Sequence, residues 1–333
     1  MKLIRSSDTE PGFRRQRCGR GFTYLTPDGD RLGKGEDLER IRSLAIPPAY
    51  QSVWICLSPL GHLQATGRDS RSRKQYRYHP SWLQFRNEQK FDSLLDFARH
   101  LPSLRAETQK ILRRKTLDEE TVTALALSII DRTGARVGNE HYREDNGTFG
   151  ITTLAKEHAE LHGRTIELNY RGKHGKDVTF EIDHPGLARH LAKCHELPGE
   201  HLFEYRNEEG ELAEVDSGMV NQLIKELSAD EFSAKTFRTW RGTLLAFRYL
   251  LATDIPDTKK SLKSTEVAAV KAASKALFNT QATCRKYYIH PLLLNSWLDQ
   301  TFAERLRKAK RSRAFQGMRT KEESLLARFL KES

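Results

Sequence analysis

Cysteine is scarce in this 333-residue sequence, and Cys18, Cys56, Cys194 and Cys284 are scattered with no C-x-x-C pair. That excludes a zinc knuckle and a disulfide framework and fits a reducing cytoplasm. No apolar run is long enough to cross a bilayer, and Met1-Lys2-Leu3-Ile4-Arg5-Ser6-Ser7-Asp8 lacks the apolar core of a secretory signal. There is no G-x-x-x-x-G-K-[ST] and no H-E-x-x-H, so a P-loop and a zincin site are excluded. His158 and His162 fall at helical spacing but have no further ligand nearby, so no metal site is expected. Nothing in the chain asks for a nucleotide or another cofactor. Internal repeats are absent.

Acidic residues are in the minority: 44 Asp and Glu face 56 Lys and Arg, for a net charge of +12. The pI near 9.5 favours a polyanionic partner, either DNA, RNA or an acidic membrane. A solvated cationic face without a ligand is the plain alternative. Apolar residues make up 38% and charged residues 30%, which suits a globular protein, and the length suits two domains.

The first part of the chain reads as a small sheet domain. Gly21-Phe22-Thr23-Tyr24-Leu25 leads into the turn signal Pro27-Asp28-Gly29-Asp30. Residues 36–44 suit a short helix, stopped by Pro47-Pro48, and residues 53–57 and 62–67 suit strands. A charge run follows, with Arg68, Arg71, Arg73, Lys74 and Arg77 opposed only by Asp69, and with Gln75, Tyr76 and Tyr78 inside it. Arg and Lys suit phosphates, while Gln and Tyr can reach base edges or pack on sugars, so the run is a candidate DNA contact or else a solvated loop.

The composition then turns to helix formers, which places the domain boundary between Phe85 and Phe91, with domains 1–88 and 89–333. Helices are expected over 89–100 and 103–115. A further helix starts at the capping box Thr116-Leu117-Asp118-Glu119 and ends near Gly134. Residues 135–142 read as a turn or short helix. Residues 165–183 form a hairpin whose tip, Arg171-Gly172-Lys173-His174-Gly175-Lys176, is strongly basic. From Ser217 the chain reads as helical almost throughout, with a loop near 257–264, an alanine-rich helix over 265–278 and a break at Asn279-Thr280. Residues 305–319 form a basic tail read as a surface helix.

Arg285-Lys286-Tyr287-Tyr288-Ile289-His290-Pro291 sets two tyrosines among cations before a proline. They suit either a core aromatic pair or a nucleophile. A tyrosine hydroxyl, with an ordinary pKa of about 10, attacks a phosphodiester usefully only where cations stabilise the transition state. Arg136, Lys173 and Arg238, on three separate elements, are the candidate cations.

With Arg136-Val137-Gly138-Asn139-Glu140, Gly172-Lys173, Lys235-Thr236-Phe237-Arg238-Thr239, Asn279 ahead of Tyr288, and Lys74-Gln75-Tyr76-Arg77-Tyr78-His79 in this order, the chain resembles the type IB DNA topoisomerases of the compact bacterial and poxviral kind. The resemblance spans nearly the whole chain. It implies an α+β protein with a small β-rich N-terminal domain and a larger, mainly helical catalytic domain of the tyrosine recombinase type, together forming a clamp on double-stranded DNA. Tyr288 would form a 3′-phosphotyrosine, Arg136 and Arg238 would hold the non-bridging oxygens, and Lys173 would protonate the leaving 5′-oxygen, with no need of ATP or metal. Asn279 stands where many relatives carry histidine. An amide can donate the same hydrogen bond but cannot transfer a proton. Gln75, Tyr76 and Tyr78 would meet the major groove, with Arg68, Arg71, Arg73, Lys74, Arg77 and Tyr142 as further DNA contacts. A monomer in the cytoplasm, associated with the nucleoid, is expected.

Tyr287 competes with Tyr288 and Lys176 with Lys173. The spacing from Asn279 favours Tyr288, and the Gly172-Lys173 pair favours Lys173. A tyrosine recombinase is the nearest rival, but recombinases usually carry H-x-x-R where this chain has Lys235-Thr236-Phe237-Arg238. A non-catalytic DNA-binding protein is the rival from another class.

Overall fold

The computed structural model describes residues 2–114 and 116–331; of His141 and Tyr142 only the backbone is described. The chain divides into two compact units at Lys90/Phe91.

The N-terminal unit is an antiparallel sheet in the order β2-β1-β3-β4-β5, formed by β1 (Gly12–Cys18), β2 (Gly21–Leu25), β3 (Gln51–Cys56), β4 (Leu63–Arg68) and β5 (Lys74–Tyr78). Helix α1 (Glu36–Ser43) places Ile41 against Phe13, Val53, Ile55 and Ala65, the core of the unit. Sequence reading missed β1, whose pattern is hidden by Arg14, Arg15 and Arg17; only Gly12 and Phe13 are buried. The basic run is not a loop throughout, because Lys74 to Tyr78 form the edge strand β5, paired with β4.

The boundary between the units falls inside α2 (Pro80–Ile111). Two helices were expected here, but the chain stays helical through Pro102 because Leu101 and Leu104 are both buried in the core. Helix α3 (Glu119–Thr133) is capped by Asp118, which accepts from the Thr121 N–H at 2.8 Å. Thr116, expected to cap it, instead donates to the Asp118 carboxylate at 2.7 Å. After α4 (Glu140–Asn146) comes the sheet β6-β7-β8, from β6 (Ala159–His162), β7 (Thr165–Gly172) and β8 (Lys176–Asp183). His158 and His162 therefore lie at a short 3-10 turn and on a strand rather than on one helix face.

Next come α5 (Pro185–His195), the short pair β9 (Glu204–Arg206) and β10 (Leu212–Glu214), and α6 (Ser217–Ser228). The rest is helical: α7 (Ala234–Leu251), α8 (Lys259–Ala276), α9 (Gln281–Tyr287), α10 (Pro291–Leu298), α11 (Phe302–Arg311) and α12 (Lys321–Lys331). Helix α8 starts at Lys259, inside the expected loop, because Thr258 caps it by accepting from the Ser261 N–H at 3.1 Å. α3 and α7 run through the middle of the core, where Phe97 of α2 meets Phe237 edge-on at 4.9 Å. Among the described residues, no helix is long and apolar enough to cross a membrane.

Candidate active site

Four segments of the C-terminal unit converge on Arg238. The first is the end of α3. Gly134 takes a left-handed φ of 70°, which closes the helix and leaves its carbonyl free to accept from Arg238 Nη1 at 2.6 Å. The second is the end of α8, where the Leu277 carbonyl accepts from Nη2 of the same guanidinium. Arg238 is 3% exposed. Each helix C-terminus carries roughly half a negative charge, so two main-chain ends stabilise a buried cation without a carboxylate. Burial first, then repulsion from Arg136, pushes the Arg238 pKa down to about 10. At neutral pH it stays cationic. Its Nε is buried without a partner.

The third segment is the loop after α3. Ile151 N–H donates to the Arg136 carbonyl at 2.9 Å, and Thr152 N–H to that of Val137 at 2.7 Å. This approach needs two glycines. A Cβ on Gly150 would lie 2.5 Å from Gly138 Cα, and Gly138 has φ +112°. The Arg136 backbone is thereby fixed. Burial holds its guanidinium pKa below the usual value, with Tyr288 and Tyr170 acting in the opposite sense.

The fourth segment is the hairpin β7–β8. Tyr170 is buried on its inner face and lines a small cavity together with Arg136, Gly172, Phe180, Arg238 and Leu277. Burial pushes the Tyr170 hydroxyl well above its ordinary pKa, against the pull of the two arginines. At the tip, Lys173–Gly175 make one tight turn with left-handed His174 and Gly175, and Lys173 is exposed. His174 is held below its usual pKa by burial and then by Lys173, Arg136 and Lys176, so the tip cations share one field with Arg136.

Tyr288 enters from the end of α9, with its ring centre 5.1 Å from the Arg238 guanidinium carbon. Gly242, one turn beyond Arg238 on α7, makes room: a Cβ there would lie 2.4 Å from the Tyr288 carbonyl oxygen. The neighbouring Thr243 hydroxyl accepts from the His290 N–H at 3.1 Å, and Ile289 is fully buried. Before the tyrosine, fully buried Glu266 of α8 pairs with Arg285 of α9 and, at 3.0 Å, with Lys263. Cys284 is buried and its thiol pushed up to about 11, so it is no rival nucleophile. Tyr287 has Lys286 Nζ 5.3 Å from its ring centroid.

Asn279 lies between Phe278, at left-handed φ 49°, and Thr280, the cap of α9. Its Oδ1 accepts from the Thr280 N–H at 2.9 Å, which leaves the amide NH2 as the group that can donate elsewhere. Tyr170, Gly242, Thr243 and Glu266 escaped the sequence reading. Gly242 alone left a signal, as a glycine inside an otherwise strong helix pattern.

In the N-terminal unit, Tyr76 and Tyr78 project from one face of β5 with rings stacked 6.0 Å apart, and both are exposed. Asp69 organises the basic run: its carboxylate accepts from the Arg71 and Arg73 N–H groups, from Arg73 Nε and from Gln75 Nε2, at 2.9 to 3.1 Å. Lys74 pairs with Asp8 at 2.6 Å, Arg68 donates to the Ser72 carbonyl at 2.7 Å, and Arg77 to the Ala45 carbonyl at 3.2 Å. The Tyr142 side chain lies outside the described residues. Among those residues, no group of three His, Cys, Asp or Glu could hold a metal ion.

A buried arginine gripped by helix ends, a second arginine beside it, a tyrosine against the first and a basic hairpin together make a site suited to phosphoryl chemistry. Residues 79–313 match the catalytic core of eukaryotic DNA topoisomerase I, and residues 21–69 match the N-terminal domain of bacterial DNA topoisomerase IB. The chain belongs to the type IB DNA topoisomerase family. It is 31% identical to a DNA topoisomerase 1B of Acanthamoeba polyphaga mimivirus over 84% of this chain and 85% of the viral one. It is 23% identical to the DNA topoisomerase 1B of vaccinia virus (strain Copenhagen) over 86% and 90%.

Proposed function

We propose that this topoisomerase relaxes supercoiled double-stranded DNA without ATP or a required metal, through a covalent 3′-phosphotyrosine on Tyr288. The Tyr288 hydroxyl gives up its proton to water as its oxygen attacks the phosphorus of one strand, and the bond to the 5′-oxygen breaks. Arg136 and Arg238 bind the non-bridging oxygens, where guanidinium geometry matches two acceptors at once. Lys173, on its exposed tip, delivers a proton to the leaving 5′-oxygen. Asn279 donates its amide N–H to a phosphate oxygen. The strand swivels, and the freed 5′-hydroxyl attacks the phosphotyrosine to restore the backbone. The covalent bond conserves the energy of the one broken, so no nucleotide is consumed.

In this reading the N-terminal unit supplies groove contacts through Gln75, Tyr76 and Tyr78 and phosphate contacts through Arg68, Arg71, Arg73, Lys74 and Arg77, with Tyr142 adding a contact from the C-terminal unit. The protein acts as a monomer on the nucleoid of a bacterial cytoplasm.

The observation that carries the reading is the Arg238 guanidinium 5.1 Å from the Tyr288 ring, with Arg136 in the same electrostatic neighbourhood. The deciding experiment is relaxation of supercoiled plasmid in EDTA without ATP. Wild type and Tyr287→Phe should relax it, while Tyr288→Phe should bind without nicking. Loss in Tyr287→Phe alone would move the nucleophile by one residue. Binding by wild type with no nicking at all would leave a DNA-binding protein without catalysis.

A further inference from the structure

Away from this site, the C-terminal unit holds a polar cavity of about 150 Å³ lined by Arg105, Asp131, Arg132, His184 and Arg319. It has room for several waters, at roughly 30 Å³ each. Its charges do not balance. Arg105 takes both Asp131 oxygens, at 2.9 and 2.8 Å, and Arg319 binds the same carboxylate. Arg105 also spans Glu323, at 2.8 and 2.9 Å. Both carboxylates are therefore engaged, and Arg132 is left as a surplus cation on the cavity wall.

No hydrogen bond or ion pair of the Arg132 guanidinium is formed among the described residues, and its Nε is buried without a partner. Burial, then repulsion from Arg319, holds its pKa below the usual value, with Asp131 offsetting only part. His184 Nδ1 accepts from the Leu187 N–H at 3.1 Å, so its ring proton sits on Nε2 and adds a donor to the wall. A half-buried guanidinium with no partner beside a cationic cavity is short of an anion.

We propose that this cavity binds a small free oxyanion of the phosphate class, held by Arg132 and Arg319 and independent of the DNA site. Arg132 stands two residues before Gly134, whose carbonyl holds Arg238, so the cavity and the reaction site flank the same helix end.

The test is thermal unfolding and titration calorimetry without DNA, in inorganic phosphate against sodium chloride of matched ionic strength. Wild type, Arg132→Gln, Arg132→Lys and Arg136→Gln are compared. Phosphate should stabilise wild type and Arg136→Gln alike, with one site per chain. At ten times its Kd it should lower the unfolding constant about 11-fold. Arg132→Gln should lose that response and Arg132→Lys keep part of it. A response that survives Arg132→Gln, vanishes in Arg136→Gln or is matched by chloride overturns the proposal. If Arg132→Gln does not fold, weaker phosphate binding by Arg132→Lys supports the site, and unchanged binding overturns it.

Discussion

The guanidinium carbon of Arg238 lies 5.1 Å from the centre of the Tyr288 ring, although fifty positions separate the two residues in the chain. Two side-chain donors of Arg238 are committed to the Gly134 and Leu277 carbonyls, so the tyrosine meets a guanidinium that is already oriented. Position rather than added charge is what this arrangement supplies, and substitutions that disturb position should be read out in cleavage.

Gly242→Ala is the sharpest such case. The new methyl would lie 2.4 Å from the Tyr288 carbonyl oxygen and 3.1 Å from its Cβ, so the tyrosine must move. Cleavage should fall about 100-fold, as a displacement near 1 Å can cost that much, while DNA affinity holds. Single-turnover cleavage and equilibrium binding on the same duplex check it. Unchanged cleavage would mean that α7 does not set the place of Tyr288.

In the proposed mechanism Asn279 is a neutral donor. Asn279→Ala should slow cleavage about 10-fold, the scale of one hydrogen bond to a charged group, and Asn279→Asp should slow it further by placing an anion near phosphate. Asn279→His should restore activity below about pH 6.5, where imidazole is cationic, and fade above it. Cleavage rates across pH 5.5 to 8 test this; equal rates in all variants would remove Asn279 from the site.

His290 should make stability fall in mild acid. Burial pushes its pKa down to about 4, while in the unfolded chain imidazole titrates near 6.5. Above 6.5 neither state binds the proton. Between 6.5 and 4 only the unfolded state does, so stability drops by about 3 kcal/mol in total and levels off below 4. His290→Asn can keep a cap on α10 and does not titrate. Denaturant unfolding of both proteins isolates the effect, because other groups cancel in the difference. A difference independent of pH would rule out a neutral buried imidazole.

The ionic network that joins α2, α3 and α12 should be fragile when halved. Asp131 is buried, and its two arginine partners outweigh burial to keep its pKa low. Asp131→Asn leaves Arg105 and Arg319 sharing Glu323 and should cost about 3 to 5 kcal/mol. Thermal unfolding in low and high salt checks this; a loss confined to low salt would mark the pair as solvent-screened.

The hairpin, α3 with its terminal glycine and the helical C-terminal half were legible because their apolar periodicity is strong and their punctuation local. Arg136, Lys173, Arg238, Asn279 and Tyr288 were candidates through residue type and the family resemblance, and the structure brings Tyr288 and Arg136 beside Arg238. What holds them was not legible. Carbonyls carry no residue identity, Gly242 matters through a contact with a residue far along the chain, and Glu266 reads as one more charge on a polar helix until its burial is seen. β1 and the unbroken α2 were misread for a related reason: packing overrode the arginines of the one and the proline of the other.

The grip on Arg238 comes from the main chain, and this has a genetic consequence. Leu277 is fully buried, so only an apolar residue of similar size can replace it, but through such a change its carbonyl remains. A screen for inactive alleles should therefore return Arg238 and Tyr288 readily, yet pass over conservative changes at position 277. Gly134 is the exception, since a side chain there would meet Arg241 at 2.9 Å and must adopt a left-handed φ. Half of the support for this arginine is thus beyond the reach of conservative side-chain substitutions, and it would stay invisible in any map built from them.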